Sequence, residues 1–222
     1  FRPRKGVLGR ILKIGLPVAV QDGCIQVAFI IITIIANHRG LIDSAAVGIV
    51  EKIISFLFLV PSSLLSAVSA LSAQNLGADN RKRARAYLYD AIKTAVFFGL
   101  SVSLLIQVMA PRFVGLFTSD EAVIASGGPY LKGYIFDTIF AGIHFSFSGY
   151  FCAAKKSIYS FLHNLIAIVL VRIPFVYLAS RAFSDSLFPM GLVTASGSLL
   201  SVLICCFLFR HLERERTEVL QN

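Results

Sequence analysis

Six apolar runs, each about long enough to cross a bilayer, follow one another with only short linkers between them. A hydrocarbon core about 30 Å thick takes roughly 20 helical residues. The runs fall at about 11–36, 44–73, 86–110, 126–153, 157–179 and 187–209. Inside a bilayer every backbone N–H and C=O must find a partner within the protein, which leaves helices and closed barrels. Barrel strands alternate apolar and polar residues over about ten positions. Stretches such as FIIITIIA and FFGLSVSLLIQVMA are apolar at consecutive positions and run too long for that pattern. The sequence therefore predicts an all-α, polytopic membrane protein, with residues 1–222 forming a single unit of six transmembrane helices. No linker is long enough to hold a soluble domain.

The linkers orient the helices. Arg2, Arg4, Lys5, Arg10 and Lys13 precede the first run, and Arg81, Lys82, Arg83 and Arg85 lie in the second linker. Lys155 and Lys156 lie in the fourth, and Arg210, Arg214 and Arg216 follow the last run. The odd-numbered linkers carry only Arg39, Arg112 and Arg181. Basic residues accumulate on the cytoplasmic side of a membrane protein. Both termini of this segment are thus expected in the cytoplasm of a multi-pass cell-membrane protein. The net charge of +9 is accounted for by these clusters at the lipid surface, so no nucleic-acid partner is expected. The chain opens on Phe1 rather than Met, which reads as a piece of a longer protein.

Charge at membrane depth is costly and marks function or a specific partner. Asp22 lies near the middle of the first span and Asp137 near the middle of the fourth. Gln26 shares a helix face with Asp22, and His144 shares one with Asp137. These four are the candidates for a cation-coupling site: a carboxylate can carry a proton or replace the water around Na⁺, and an imidazole can relay a proton. The two polar faces are expected to line one cavity. Glu51 and Arg172 fall at similar depth in spans two and five and are expected to form a structural ion pair. Phe140 and Tyr150, on an aromatic-rich fourth span, are candidates for a cavity wall that receives flat organic cations by stacking and cation–π contact. Pro17, Pro61 and Pro174 interrupt spans one, two and five and are expected to bend them.

No HExxH, GxSxG or P-loop pattern occurs, so no enzyme activity is expected. The four cysteines lie in or beside apolar runs without metal-ligand spacing, and no metal centre is expected.

Three stretches carry a family resemblance: GLPVAVQD at Gly15–Asp22, VGIVEKIISFLFLVPSSLLSAVSALSAQNLGADNRKRA from Val47, and VRIPFVYLASRAFSDSLFPMGL at Val171–Leu192. The chain resembles the C-terminal half of a multidrug and toxic compound extrusion (MATE) transporter from about Gly9 to Arg210. The resemblance implies one lobe of a twelve-helix carrier, with the N-terminal lobe absent from this chain. It implies export of drugs or other small organic cations in exchange for Na⁺ or H⁺, with no further cofactor. The partners are then the lipid bilayer, the missing lobe and the cations themselves. Better-known branches carry acids near the positions of Ile25–Gln26 and of Ala141, so Asp22 and Asp137 each stand about one turn earlier. A lipid-linked saccharide flippase of the wider superfamily and a non-transporting membrane scaffold subunit are the alternatives. A flippase is expected to show more basic residues in its central cavity.

Overall fold

The computed structural model describes residues 5–221, with side chains described at 9, 12 and 15–214. Arg2 and Arg4 lie outside the described residues, as do the side chains of Lys5, Arg10, Lys13 and Arg216. The chain is helical almost throughout. Helix α1 spans Lys5–Asn37, α2 Leu41–Leu57, α3 Leu59–Gly77, α4 Arg81–Gly115 and α5 Glu121–Tyr134. Then come α6 at Asp137–Ala153, α7 at Ser157–Ala167, a π-helical turn at Ile168–Arg172, α8 at Ile173–Ala182 and α9 at Phe188–Gln221. Joined in series, these make six rods. Five described stretches are continuous, long and apolar enough to cross a membrane. The fourth crossing is built from α5 and α6, which meet at a break over Ile135–Phe136.

Each interruption has a local cause or a local use. Pro61 cannot donate to the carbonyl of Leu57, and the second rod breaks one residue after that carbonyl, at Phe58. Pro174 likewise lacks an N–H, and just before it the fifth rod widens into the π turn, where Ile173 N–H bonds to Ile168 O. Such a bulge redirects the side chains that it carries, and here it carries Arg172. Pro17 sits inside α1, which remains one helix.

The rods pack where glycine lets backbones meet. A Cβ on Gly133 would stand 2.4 Å from Phe188 O, and one on Gly191 would stand 2.4 Å from Tyr130 O, so α5 and α9 touch backbone to backbone. Gly149 does the same for α6 against Leu65 of α3. Small residues serve close helix contact in membranes, where lipid gives little drive for burial of apolar side chains. Of the small-residue stripe on α3, Ser69 takes part in the Gly149 contact, whereas Ser62, Ser66 and Ala73 are exposed.

The two ends of the bundle differ. At one, Arg39 of the first linker donates to Ser180 O at 2.8 Å, Phe183 O at 2.7 Å and Ser184 O at 2.7 Å, and pairs with Asp43 at 2.7 Å. Asp43 also accepts from Ser126 of α5, so linkers one and five meet the N-terminal turns of α2 and α5 there. At the other end, α3 and α6 both finish in a Schellman motif, with Asn80 N–H on Asn75 O and Lys156 N–H on Phe151 O, each at 2.8 Å. Glu213 of α9 joins that end, pairing with Arg85 at 3.2 Å and accepting from Tyr150 at 3.0 Å. The described clusters Arg81–Arg85, Lys155–Lys156 and Arg210–Arg214 thus gather on one end, as the up-and-down reading of the linkers requires.

Candidate functional site

Two polar groups of different character occupy the middle of the bundle. The first is buried. Asp137 is the first residue of α6, directly after the break, and is 0% exposed. Arg172, 4% exposed, reaches it from the π turn: Nη2 donates to Asp137 Oδ2 at 3.2 Å and to Tyr134 OH at 2.5 Å. The guanidinium also lies over the rings of Phe29 and Tyr134, 5.5 Å from each centroid. A charge removed from water is tolerated only with a partner of this kind. Gly197 of α9 accommodates it, since a Cβ there would press to 3.0 Å from that of Arg172.

The expected Glu51–Arg172 ion pair is not what forms. Arg172 pairs with Asp137, and Glu51 accepts instead from Thr33 of α1, Oγ1 to Oε2 at 3.0 Å. The reason lies in the two irregular turns. The α5–α6 break presents Asp137 inward, and the π turn swings Arg172 toward it. Equal depth along straight helices did not capture either effect.

The second group is open. Asp22 and Gln26, both exposed, line a cleft of about 240 Å³ with Ile25, Phe29, Ser55, Phe58, Leu59, Ser62 and Phe145. It lies between α1, the α2–α3 junction and α6. Asp22 and Asp137 therefore do not share one cavity: α1 turns Asp22 to the open side, and Asp137 is sealed within. Phe29 stands between them, lining the cleft and also lying under Arg172.

The remaining candidates separate as well. Tyr150 is buried near the basic end, edge-on to Phe209 and bonded to Glu213, away from the cleft. Phe140 is half-buried on α6. The aromatic wall that the sequence placed at Phe140 and Tyr150 is supplied in the cleft by Phe29, Phe58 and Phe145. His144 is buried beside His163, ring centroids 5.4 Å apart. His163 shares a hydrogen bond with Ser148 at 2.9 Å, and Ser160 donates to Gln21 at 2.5 Å. The sequence singled out only His144 of this cluster. Its signal was present as Ser157, Ser160, His163 and Asn164, a polar line at helical spacing in an otherwise apolar span. Among the described residues, no group of three or more His, Cys, Asp or Glu side chains is disposed to hold a metal.

Comparison with known proteins fits this architecture. The MatE family profile matches residues 17–178. The chain is 28% identical over 170 residues to the probable multidrug resistance protein YpnP of Bacillus subtilis, covering 77% of this chain and 38% of that protein. It is 24% identical over 227 residues to the multidrug export protein MepA of Staphylococcus aureus strain MRSA252, covering 100% and 49%. The chain thus spans less than half to about half the length of these curated relatives. A crystal structure of a MATE protein in its bent conformation superposes with a TM-score of 0.88 at 16% identity, over all of this chain and 49% of that one. A MOP superfamily transporter from Pyrococcus furiosus, described as having a binding pocket of reverse polarity, superposes at 0.87 and 18%, with the same coverage. These superpositions show the shared fold. The chain belongs to the MatE family.

Proposed function

We propose that this chain is the C-terminal lobe of a secondary antiporter that exports small organic cations in exchange for H⁺ or Na⁺. Its two termini lie on the cytoplasmic side, in accord with the basic end of the bundle. The cleft at Asp22 receives the cation. Its one carboxylate supplies charge, and Phe29, Phe58 and Phe145 supply the flat apolar surface on which such a cation stacks. The exposed stripe Ser62, Ser66 and Ala73 continues from the cleft along α3 and suits close approach of a second lobe.

The observation that carries the reading is the shared position of Phe29. A cation in the cleft meets this ring from one side, and Arg172 already lies over it within the bundle. Two cations competing for one ring give the cleft a physical link to the Arg172–Asp137 pair. We assign coupling to that pair. Loading Asp137 with H⁺ or Na⁺ weakens its hold on Arg172 and leaves the guanidinium to Phe29 and Tyr134. That opposes a second cation in the cleft. Alternating access then follows as the two lobes exchange which side they open. The cleft charge, an acid rather than a base, favours organic cations over a lipid-linked saccharide. A scaffold subunit offers no reason for an acid in an open, aromatic-lined cleft.

The test is made in the full-length protein reconstituted in vesicles. Phe29→Leu keeps an apolar side chain but removes the ring, and is expected to weaken ethidium binding about tenfold while the melting temperature moves by only a few degrees. Unchanged binding would remove the link between cleft and pair.

A further inference from the structure

The cluster around His163 has no place in the mechanism above. It draws on four helices: Gln21 from α1, His144 and Ser148 from α6, Ser160, His163 and Asn164 from α7, and Ser201 from α9, which donates to His163 O at 3.3 Å. All seven are 5% exposed or less. Gln21 Nε2, His144 Nδ1, His163 Nδ1 and Asn164 Nδ2 have no hydrogen-bond partner among the described residues. A buried polar atom left unpaired costs about 1–3 kcal/mol, and four such atoms in one region are what ordered water satisfies. Apolar packing would not retain two imidazoles, an amide pair and three hydroxyls in the centre of a membrane bundle.

The cluster also has a direction. His144 lies on the same helix as Asp137, two turns on, so the two share a face of α6. At its far side Gln21 immediately precedes Asp22, which faces the cleft. The charged groups around it are Arg172 and its partner Asp137 on one side, with Glu51 beyond them on α2. On α1 the adjacent acid, Asp22, looks outward into the cleft. From α7 and α9 the cluster meets Ser160, Asn164 and Ser201, which are uncharged.

We propose that α1, α6, α7 and α9 enclose a hydrated histidine chamber that conducts protons between the cleft side of α1 and the Asp137–Arg172 pair, with His163 and His144 as its two relays. Each imidazole takes a proton at one ring nitrogen and gives one up at the other, ending in the opposite tautomer. Water carries the proton between rings, so no charge is left behind. The reset is rotation of the ring or return of the proton. This inference rests on the exporter reading and names H⁺ as the ion that reaches this lobe.

The test again uses the full-length protein in vesicles, with ethidium as probe. His163→Gln keeps polarity and size but cannot relay a proton. It is expected to bind ethidium within twofold of the unaltered protein, to melt within a few degrees of it, and to lose at least tenfold of efflux driven by a pH gradient. His163→Phe, which fills the space with apolar surface, is expected to lose as much. Hydroxyl-radical footprinting, which needs no substrate, is expected to oxidise His163 despite its burial. Wild-type efflux by His163→Gln would reduce the cluster to a structural role and overturn the relay. Efflux driven by a sodium gradient alone would also overturn it, with the exporter reading intact. An unoxidised His163 would remove the water. An unaltered protein that neither binds nor moves ethidium would instead count against the exporter reading, and the footprint would still decide the chamber.

Discussion

At the scale of single residues, the centre of the molecule is decided by which charge finds which partner. Asp137 and Arg172 are each nearly sealed from outside, so removing one strands the other. Breaking a buried pair costs about 3–5 kcal/mol. Asp137→Asn is therefore expected to lower the melting temperature of the detergent-solubilised protein markedly. The double change Asp137→Asn with Arg172→Gln is expected to recover most of that loss without recovering coupled efflux. Recovery of efflux by the double variant would argue that the pair is only structural. A second residue-scale effect lies at the basic end. Lys155 has φ of 61°, in the left-handed region where a Cβ is disfavoured by about 1–2 kcal/mol. Lys155→Gly is expected to raise stability by about 1 kcal/mol, read as a small upward shift in thermal melting.

At the scale of elements, most of the helices were legible and the breaks within them were only partly so. The six apolar runs located the rods because hydrocarbon length and backbone satisfaction allow few alternatives. The helices overrun those limits, as α1, α4 and α9 do, because helical hydrogen bonding continues past the apolar stretch into polar sequence. Prolines flagged the irregular turns at Pro61 and Pro174. Nothing comparable marks Ile135–Phe136, since Pro129 lies within α5, and that break is what turns Asp137 inward. The site was mispaired for this reason: Glu51 and Arg172 match in depth, but side-chain direction at a π turn and after a helix break is not written in spacing. Pairing between distant elements was also hidden at Arg39. That side chain caps the C-terminal end of α8 through carbonyls of Ser180 and Phe183 while holding Asp43, a use that depends on its forked donors. Arg39→Lys is expected to cost about 2 kcal/mol and to raise proteolysis at the loop 183–187. Gly133→Val places branched carbons against the backbone of α9 and is expected to cost about 3 kcal/mol or more, seen as loss of the folded fraction on size-exclusion chromatography.

At the scale of the whole molecule, the feature that matters is the cleft between α1, the α2–α3 junction and α6. The cleft at Asp22 has walls from α1, α2, α3 and α6, in a chain that matches about half the length of MepA. The up-and-down order of the rods predicts that cysteines introduced at Asp79 and Ser184 react with impermeant reagents from opposite sides of the membrane. Labelling of both from one side would contradict six crossings. The central claim, that the open cleft receives an organic cation through its carboxylate, is tested most directly by ethidium binding to the full-length protein carrying Asp22→Asn. Because Asp22 is exposed and forms no ion pair among the described residues, the substitution is expected to leave folding and melting unchanged while weakening binding at least tenfold. Ethidium binding and efflux at wild-type levels in that variant would contradict the account.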